Sequence, residues 1–139
     1  MPRQSKYNKE EKDNVKSYQY KAAIYIRLSV EDGDKEESNS ITNQRMLLNQ
    51  FLKDNSDIEV YDYYTDDGFS GTTFNRPGFE KLLEDLYEKK FNTVIVKDLS
   101  RLGRNYIEVG NYIEKVFPLY NIRFIAVNDQ IDSIKNPES

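Results

Sequence analysis

The sequence of 139 residues contains no cysteine and no histidine. Without cysteine there is neither a disulfide framework nor thiolate chemistry. Without histidine there is no serine–histidine pair, no histidine metal ligand and no histidine general base. Any chemistry must therefore depend on serine, tyrosine, lysine, arginine, aspartate or glutamate side chains.

The sequence also lacks an apolar run long enough to cross a membrane, and its charged start carries no apolar block typical of a secretory signal. These absences favour a cytoplasmic protein with no membrane partner. Strong positive charge is missing as well, because the net charge is −4. A domain that binds duplex DNA by itself is usually basic, so tight stand-alone binding is not expected. The net charge does not exclude a local phosphate site, because charges can cluster.

Residues 1–20 are predicted to form a polar, disordered tail, because Val15 is the only aliphatic residue there apart from Met1. From residue 21 onward, strand-like and helix-like patterns alternate. Strands are predicted over 22–28, 58–64, 91–96 and 122–127, and helices over 39–53, 77–89 and from 105 to about 118, whereas residues 128–139 show no regular period. This alternation predicts an α/β domain of three layers, with a mostly parallel sheet of four or five strands flanked by helices.

Arginine and serine side chains follow the predicted strands at their carboxyl ends, where parallel sheets bind ligands. Arg27 and Ser29 lie two apart on the first strand and face the same way. The strand over 91–96 runs into KDLSRLGRN, which contains Arg101 and Arg104. Arginine grips a phosphate with two parallel hydrogen bonds, so these residues predict a phosphate site beside the Ser29 hydroxyl. Alternatively, the arginines are solvated or pair with acids, Arg27 for example with Asp66 or Asp98.

Two further residues are candidates for the same site. Gln44 lies on the inward-facing stripe of its helix. Its amide either forms hydrogen bonds with backbone groups at the edge of the core or is an uncharged hydrogen-bond donor at the phosphate site. Arg76 precedes Pro77 at a helix start, which favours anions; it is either a surface arginine or a further phosphate ligand. The convergence of arginines on Ser29 would neutralise a phosphate without metal and allow a covalent phosphoserine.

Five segments occur in an order and spacing that resemble one family. They are YIRLS (25–29), SITNQ (40–44), DDGFSGTTFNRPGF (66–79), DLSRLGR (98–104) and RFIAVND (123–129). They are similar to the serine recombinases, the resolvase/invertase family, and most like the large serine recombinases of mobile elements. The resemblance implies a resolvase-like fold in which Ser29 attacks a DNA phosphate and stays linked to the 5′ end. It implies that Arg27, Arg101 and Arg104 stabilise the transition state, with Arg76 and Gln44 nearby and no metal or cofactor.

The sequence departs from the family pattern in two respects. Small resolvases carry an acid immediately before RLGR, where this sequence has Ser100; the nearest acid is Asp98, and whether it orients the arginines is left open. Family members also continue with a long helix and a DNA-binding region. Residues 21–139 are therefore expected to be the catalytic domain of a longer protein, which would act on DNA as a homodimer and a tetramer. The domain alone is expected to bind DNA weakly.

Two other functions compete with this interpretation. A magnesium-dependent, receiver-like phosphoryl-transfer domain would use Asp66, Asp98 and Asp129, which all follow predicted strands. The arginines and the serine at the end of the first strand argue against that cation site. A non-catalytic module that pairs with a full-length recombinase is the second alternative.

Overall fold

The computed structural model describes residues 19–28, 41–66, 76–103 and 105–135. Its strands are β1 (Tyr20–Arg27), β2 (Ile58–Asp66), β3 (Thr93–Val96), β4 (Arg123–Ala126) and β5 (Ile131–Asp132). Its helices are α1 (Ile41–Lys53), α2 (Pro77–Tyr87), α3 (Tyr106–Asn111) and α4 (Phe117–Leu119), with a 3₁₀ turn at Leu99–Arg101 and a π-helical turn at Tyr112–Val116. Ser29, Arg104 and residues 1–18 of the predicted tail lie outside the described residues, whereas Tyr20 already belongs to β1.

The strands form one sheet in the order β2-β1-β3-β4-β5. The first four are parallel, and β5 pairs antiparallel with β4. The predicted mostly parallel sheet is therefore confirmed. The pattern of residues 128–139 gave no sign of β5, because a strand of two residues is too short to show a period of two.

The two faces of the sheet bury separate apolar clusters because successive side chains of a strand point to opposite sides. In β1, Ala22, Ile24 and Ile26 pack with Leu48 of α1 on one face. Ala23 and Tyr25 face the other side, where side chains of α2 and of the helical segment from 106 to 119 complete the cluster. The result is three layers, with both faces of the sheet covered.

The start of α2 is fixed against the end of β2 by the Asp66 carboxylate. Its Oδ1 accepts the backbone N–H of Gly78 at 2.8 Å, and its Oδ2 accepts that of Phe79 at 3.0 Å. The helix approaches so closely that a Cβ on Gly78 would lie 2.6 Å from the carbonyl oxygen of Thr65. Pro77 occupies the first turn, as predicted, where its missing N–H is not needed. These contacts fix the position of the preceding residue, Arg76.

The third helical segment begins at a side-chain cap. Asn105 Oδ1 accepts the backbone N–H of Glu108 at 2.9 Å, which confirms the predicted helix start. The segment continues through the π-helical turn into α4 and ends at Leu119, one residue beyond Pro118. None of the helices in the described ranges has the length and apolar character needed to span a bilayer.

Candidate active site

Three arginines meet at the carboxyl end of the sheet. Arg27 is the last residue of β1, Arg101 lies in the 3₁₀ turn after β3, and Arg76 directly precedes α2. Their exposed fractions are 8%, 4% and 8%, respectively, so all three are buried. The structure thus brings together three of the four predicted arginines, while Ser29 and Arg104 lie in the segments that it does not describe.

Arg27 and Arg101 bind each other's backbone. The Nε of Arg27 donates to the carbonyl of Arg101 at 3.2 Å, and its Nη2 donates to the carbonyl of Ser100. In return, Nη1 of Arg101 donates to the carbonyl of Arg27 at 2.8 Å. The same carbonyl oxygen accepts a hydrogen bond from Nε2 of Gln44, which is fully buried, at 3.1 Å. Backbone carbonyls carry no formal charge, so the role of these bonds is to orient the guanidinium groups.

Asp98 and Ser100 shape the turn that carries Arg101. The Oδ1 of Asp98 accepts the backbone N–H of Ser100 at 3.1 Å and its hydroxyl at 2.5 Å. The same oxygen lies 3.5 Å from Nε of Arg101. Asp98 is therefore close enough to orient Arg101 although Ser100 occupies the position directly before it.

Arg76 is buried beside the same turn, so the surface-arginine alternative is wrong. Its Nη1 donates to the carbonyl of Leu102 at 3.0 Å and lies 3.5 Å from that of Arg101. Its Nη2 forms an ion pair with Oε2 of Glu108 at 3.1 Å. The guanidinium also lies 4.3 Å from the ring centroid of Phe79, a distance typical of a cation–π contact.

Glu108 was not predicted as a site residue. It lies three residues after the helix cap Asn105, in the first turn of α3. The side chain reaches Arg76, 32 positions earlier in the chain. No local pattern signals such a contact, because it depends on how the two helix starts meet in the fold.

Tyr25 donates its phenolic hydrogen to Oδ2 of Asp66 at 2.7 Å. Burial, followed by this hydrogen bond, raises the pKa of Tyr25 above its ordinary value. The phenol therefore stays protonated at neutral pH and serves as a hydrogen-bond donor to Asp66.

The three aspartates of the magnesium alternative hold backbone and side-chain donors and do not form a common ligand set. Asp66 accepts the N–H groups of α2 and the hydroxyl of Tyr25. Asp98 caps the 3₁₀ turn, and Asp129 Oδ2 accepts the N–H of Leu99 in that turn at 2.7 Å. Within the described ranges, no three carboxylates are grouped as metal ligands. The donor set does not fit a magnesium site of this kind.

Comparison with known proteins places this geometry in a family. Residues 22–139 match the resolvase N-terminal domain. The fold is similar to the N-terminal catalytic domain of TP901-1 integrase, with 35% identity and a TM-score of 0.70 over 82% of each chain. It is also similar to a resolvase family site-specific recombinase from Streptococcus pneumoniae, with 30% identity and a TM-score of 0.69 over 84% of this chain and 78% of that one.

A third similar structure is the C-terminal catalytic domain of ISC1926 TnpA, an IS607-like serine recombinase. It shares 25% identity, with a TM-score of 0.62 over 77% of this chain and 69% of that chain. The family match covers nearly the whole sheet and the three arginines of the site. The chain therefore belongs to the resolvase family, and it contains the catalytic domain of a site-specific serine recombinase.

Proposed function

We propose that residues 21–139 cleave and rejoin DNA through a covalent phosphoserine formed by Ser29. The observation that supports this most directly is the reciprocal bonding of Arg27 and Arg101, because it gathers two cationic side chains at the end of β1. Ser29 follows Arg27 by two residues in the sequence. A nucleophile in that position would meet a phosphate bound by these arginines.

The proposed reaction is a transesterification at phosphorus. A bond forms between Ser29 Oγ and the phosphorus while the bond from phosphorus to the 3′ oxygen breaks. The hydroxyl proton of Ser29 is lost to solvent, and the 3′ oxygen leaves with a proton as a hydroxyl. One phosphodiester is exchanged for another, so the reverse attack by a 3′ hydroxyl rejoins the strand without an external energy source.

The arginines would act through charge and position. Phosphoryl transfer depends mainly on alignment and on neutralising the charge of the equatorial oxygens. Arg27, Arg101 and Arg104 are proposed to contact those oxygens, with Arg76 as a further ligand. Gln44 and Asp98 are proposed to support the arginines: Gln44 binds the carbonyl of Arg27, and Asp98 lies beside Arg101. Ser100 completes the turn through its hydroxyl bond to Asp98. Preorganised donors of this kind need no metal to stabilise the transition state.

The proposed partner is DNA, bound as part of a longer recombinase that forms a homodimer and then a tetramer on two DNA sites. The net charge of −4 indicates that this domain contributes little nonspecific affinity, which requires clustered lysine and arginine. We therefore expect weak DNA binding by these 139 residues alone. A DNA substrate also agrees with the expected cytoplasmic location.

The test is covalent trapping. Residues 21–139 would be fused to the long helix and DNA-binding region of a serine recombinase and incubated with its site carrying a nick that prevents rejoining. We expect a protein–DNA adduct in denaturing gels, with the DNA on Ser29 by mass spectrometry. Ser29→Ala should abolish the adduct, whereas Ser56→Ala, at an exposed serine in the turn before β2, should not. No adduct from the unmodified sequence would contradict catalysis and favour the pairing module.

A further inference from the structure

We propose that Glu108 is a positioning residue that selects which edge of the Arg76 guanidinium faces the scissile phosphate. This inference deepens the proposed DNA cleavage and rests on it. Its starting point is the ion pair between Nη2 of Arg76 and Oε2 of Glu108, which joins the starts of two helices, α2 and α3. Glu108 would act only through Arg76 and would not touch DNA.

The bonds of Arg76 divide its five N–H donors into two groups. Nη1 is directed at the carbonyls of Leu102 and Arg101, and one hydrogen of Nη2 is directed at Glu108. Nε and the second hydrogen of Nη2 contact no acceptor among the residues that the structure describes. An Nε–H and an Nη–H side by side are one of the two-donor edges with which arginine binds a phosphate. In this proposal Glu108 accepts the Nη2 hydrogen on the Nη1 side, which leaves the edge formed by Nε and Nη2 for a phosphate.

The Glu108 carboxylate is itself held in place by two features of the chain. Asn105 caps the helix at the backbone N–H of Glu108, which fixes the point where its side chain leaves the helix. Gly103 provides the space that the side chain occupies. A Cβ at that position would lie 3.0 Å from Oε1 and 3.1 Å from Cδ of Glu108. The glycine in RLGR thus allows the carboxylate to lie against the turn.

The ion pair is better suited to positioning than to stabilising the fold. The Arg76 side chain is 10% exposed, but that of Glu108 is 29% exposed. Solvent weakens the attraction of partly exposed pairs, which contribute little to the free energy of unfolding. Arg76 is also retained by two carbonyls through Nη1 and by the ring of Phe79, so loss of Glu108 would leave the side chain buried but would remove the bond that holds Nη2 in place.

The first experiment uses the 139-residue chain and inorganic phosphate as the probe. NMR would follow the Arg76 side-chain N–H signals in the unmodified chain, Glu108→Ala and Glu108→Gln. We expect Glu108→Ala to broaden or shift those signals and to weaken phosphate binding about tenfold, because small misplacement of a ligand is costly. Glu108→Gln keeps an oxygen acceptor and should restore both within about twofold. Glu114→Ala, an exposed acid on the same helical segment with the same charge change, should resemble the unmodified chain.

The second experiment measures adduct formation in the fusion protein described above. Glu108→Ala should lower the rate constant at saturating DNA about tenfold with little change in the DNA concentration needed for half-saturation, because the contact acts at the reacting phosphate. Glu108→Gln should recover it. An unchanged Arg76 signal and phosphate affinity in Glu108→Ala, or equal losses in the alanine and glutamine variants, would overturn the proposal. If the unmodified fusion gives no adduct, cleavage by Ser29 fails, while the phosphate titration still decides the role of Glu108.

Discussion

Buried arginines at opposite ends of the sheet have different partners. At the amino end of β4, Arg123 forms a bidentate pair with Asp132, with Nε–Oδ1 at 3.0 Å and Nη2–Oδ2 at 2.7 Å. Its guanidinium also lies 4.3 Å from the ring centroid of Tyr20. At the carboxyl end of β1, Arg27 donates to the carbonyls of Arg101 and Ser100. Arg123 is held by a full opposite charge, whereas these two bonds of Arg27 go to neutral oxygens.

The difference separates a structural role from a functional one. A carboxylate that grips a guanidinium with both oxygens neutralises it, so Arg123 has no charge left to offer a ligand. The two carbonyl acceptors direct the Arg27 guanidinium but carry no formal charge. Retaining positive charge in a buried place is unfavourable unless an anion binds there. At the carboxyl end, Arg76 and Arg101 each lie beside one acid, Glu108 and Asp98, and Arg27 is bound by carbonyls as well, so this group of side chains is more suited to an anion than the neutral Arg123–Asp132 pair.

The largest effect on stability is expected from Arg123→Met. The substitution leaves the Asp132 carboxylate buried without its partner, and breaking a buried pair in this way costs about 3–5 kcal/mol. Denaturant unfolding followed by circular dichroism would measure the loss. The double variant Arg123→Met with Asp132→Leu should recover most of it, because both charges are removed together. Phosphate affinity of the folded variant should stay within about twofold of the unmodified chain, and a larger loss would contradict the separation of the two ends.

The Arg123–Asp132 pair also predicts how the free energy of unfolding depends on pH. Burial alone would raise the pKa of Asp132, but the hydrogen bonds and charge of Arg123 outweigh it and hold that pKa below its usual range. The stabilisation is then complete above the unfolded-state pKa of about 4 and is lost as the pH falls through the lower folded-state pKa. Asp132→Asn should reduce this loss of stability at low pH, whereas Asp54→Asn, at an exposed aspartate, should leave the loss unchanged.

At the carboxyl end, Arg27→Lys should impair adduct formation more than stability. Lysine keeps the charge but cannot reproduce the planar fork that bonds two carbonyls and binds a phosphate. The rate of adduct formation in the fusion protein should fall about 10²-fold, the size of effect seen when one preorganised donor is lost from an active site. The free energy of unfolding should fall by about 1.5–3 kcal/mol, the contribution of a hydrogen bond that involves a charged group.

Arg45→Lys provides the matched control for this substitution. Arg45 is exposed on α1, where its guanidinium lies 4.0 Å from the ring centroid of Tyr63. Its replacement should change neither the rate nor the stability appreciably. If Arg27→Lys lowered stability as much as Arg123→Met while the rate stayed high, Arg27 would be a core residue and the comparison between the two ends would fail.

The sequence was sufficient for the fold and for part of the site. Alternating apolar patterns predicted four parallel strands and their order along the chain, and the ends of those strands brought Arg27 and Arg101 together. The partners of the arginines were not predictable in the same way. Asp66 was considered a partner for Arg27 or a metal ligand, yet it accepts the N–H groups that open α2. Such contacts depend on which loops meet in three dimensions, and local periodicity carries no information about that.

The smallest effect is expected from Tyr25→Phe, with Tyr64→Phe as its control. Each phenol donates to a buried aspartate at 2.7 Å, Tyr25 to Asp66 and Tyr64 to Asp85, and each phenylalanine keeps its ring. Both variants should therefore lose about 1 kcal/mol of unfolding free energy. Only Tyr25→Phe should also slow adduct formation, by about two- to fivefold. Asp66 fixes the start of α2 next to Arg76, and the reaction slows when Arg76 is held less firmly against the phosphate. Equal rates in the two variants would contradict this prediction and show that adduct formation does not depend on the bond between Tyr25 and Asp66.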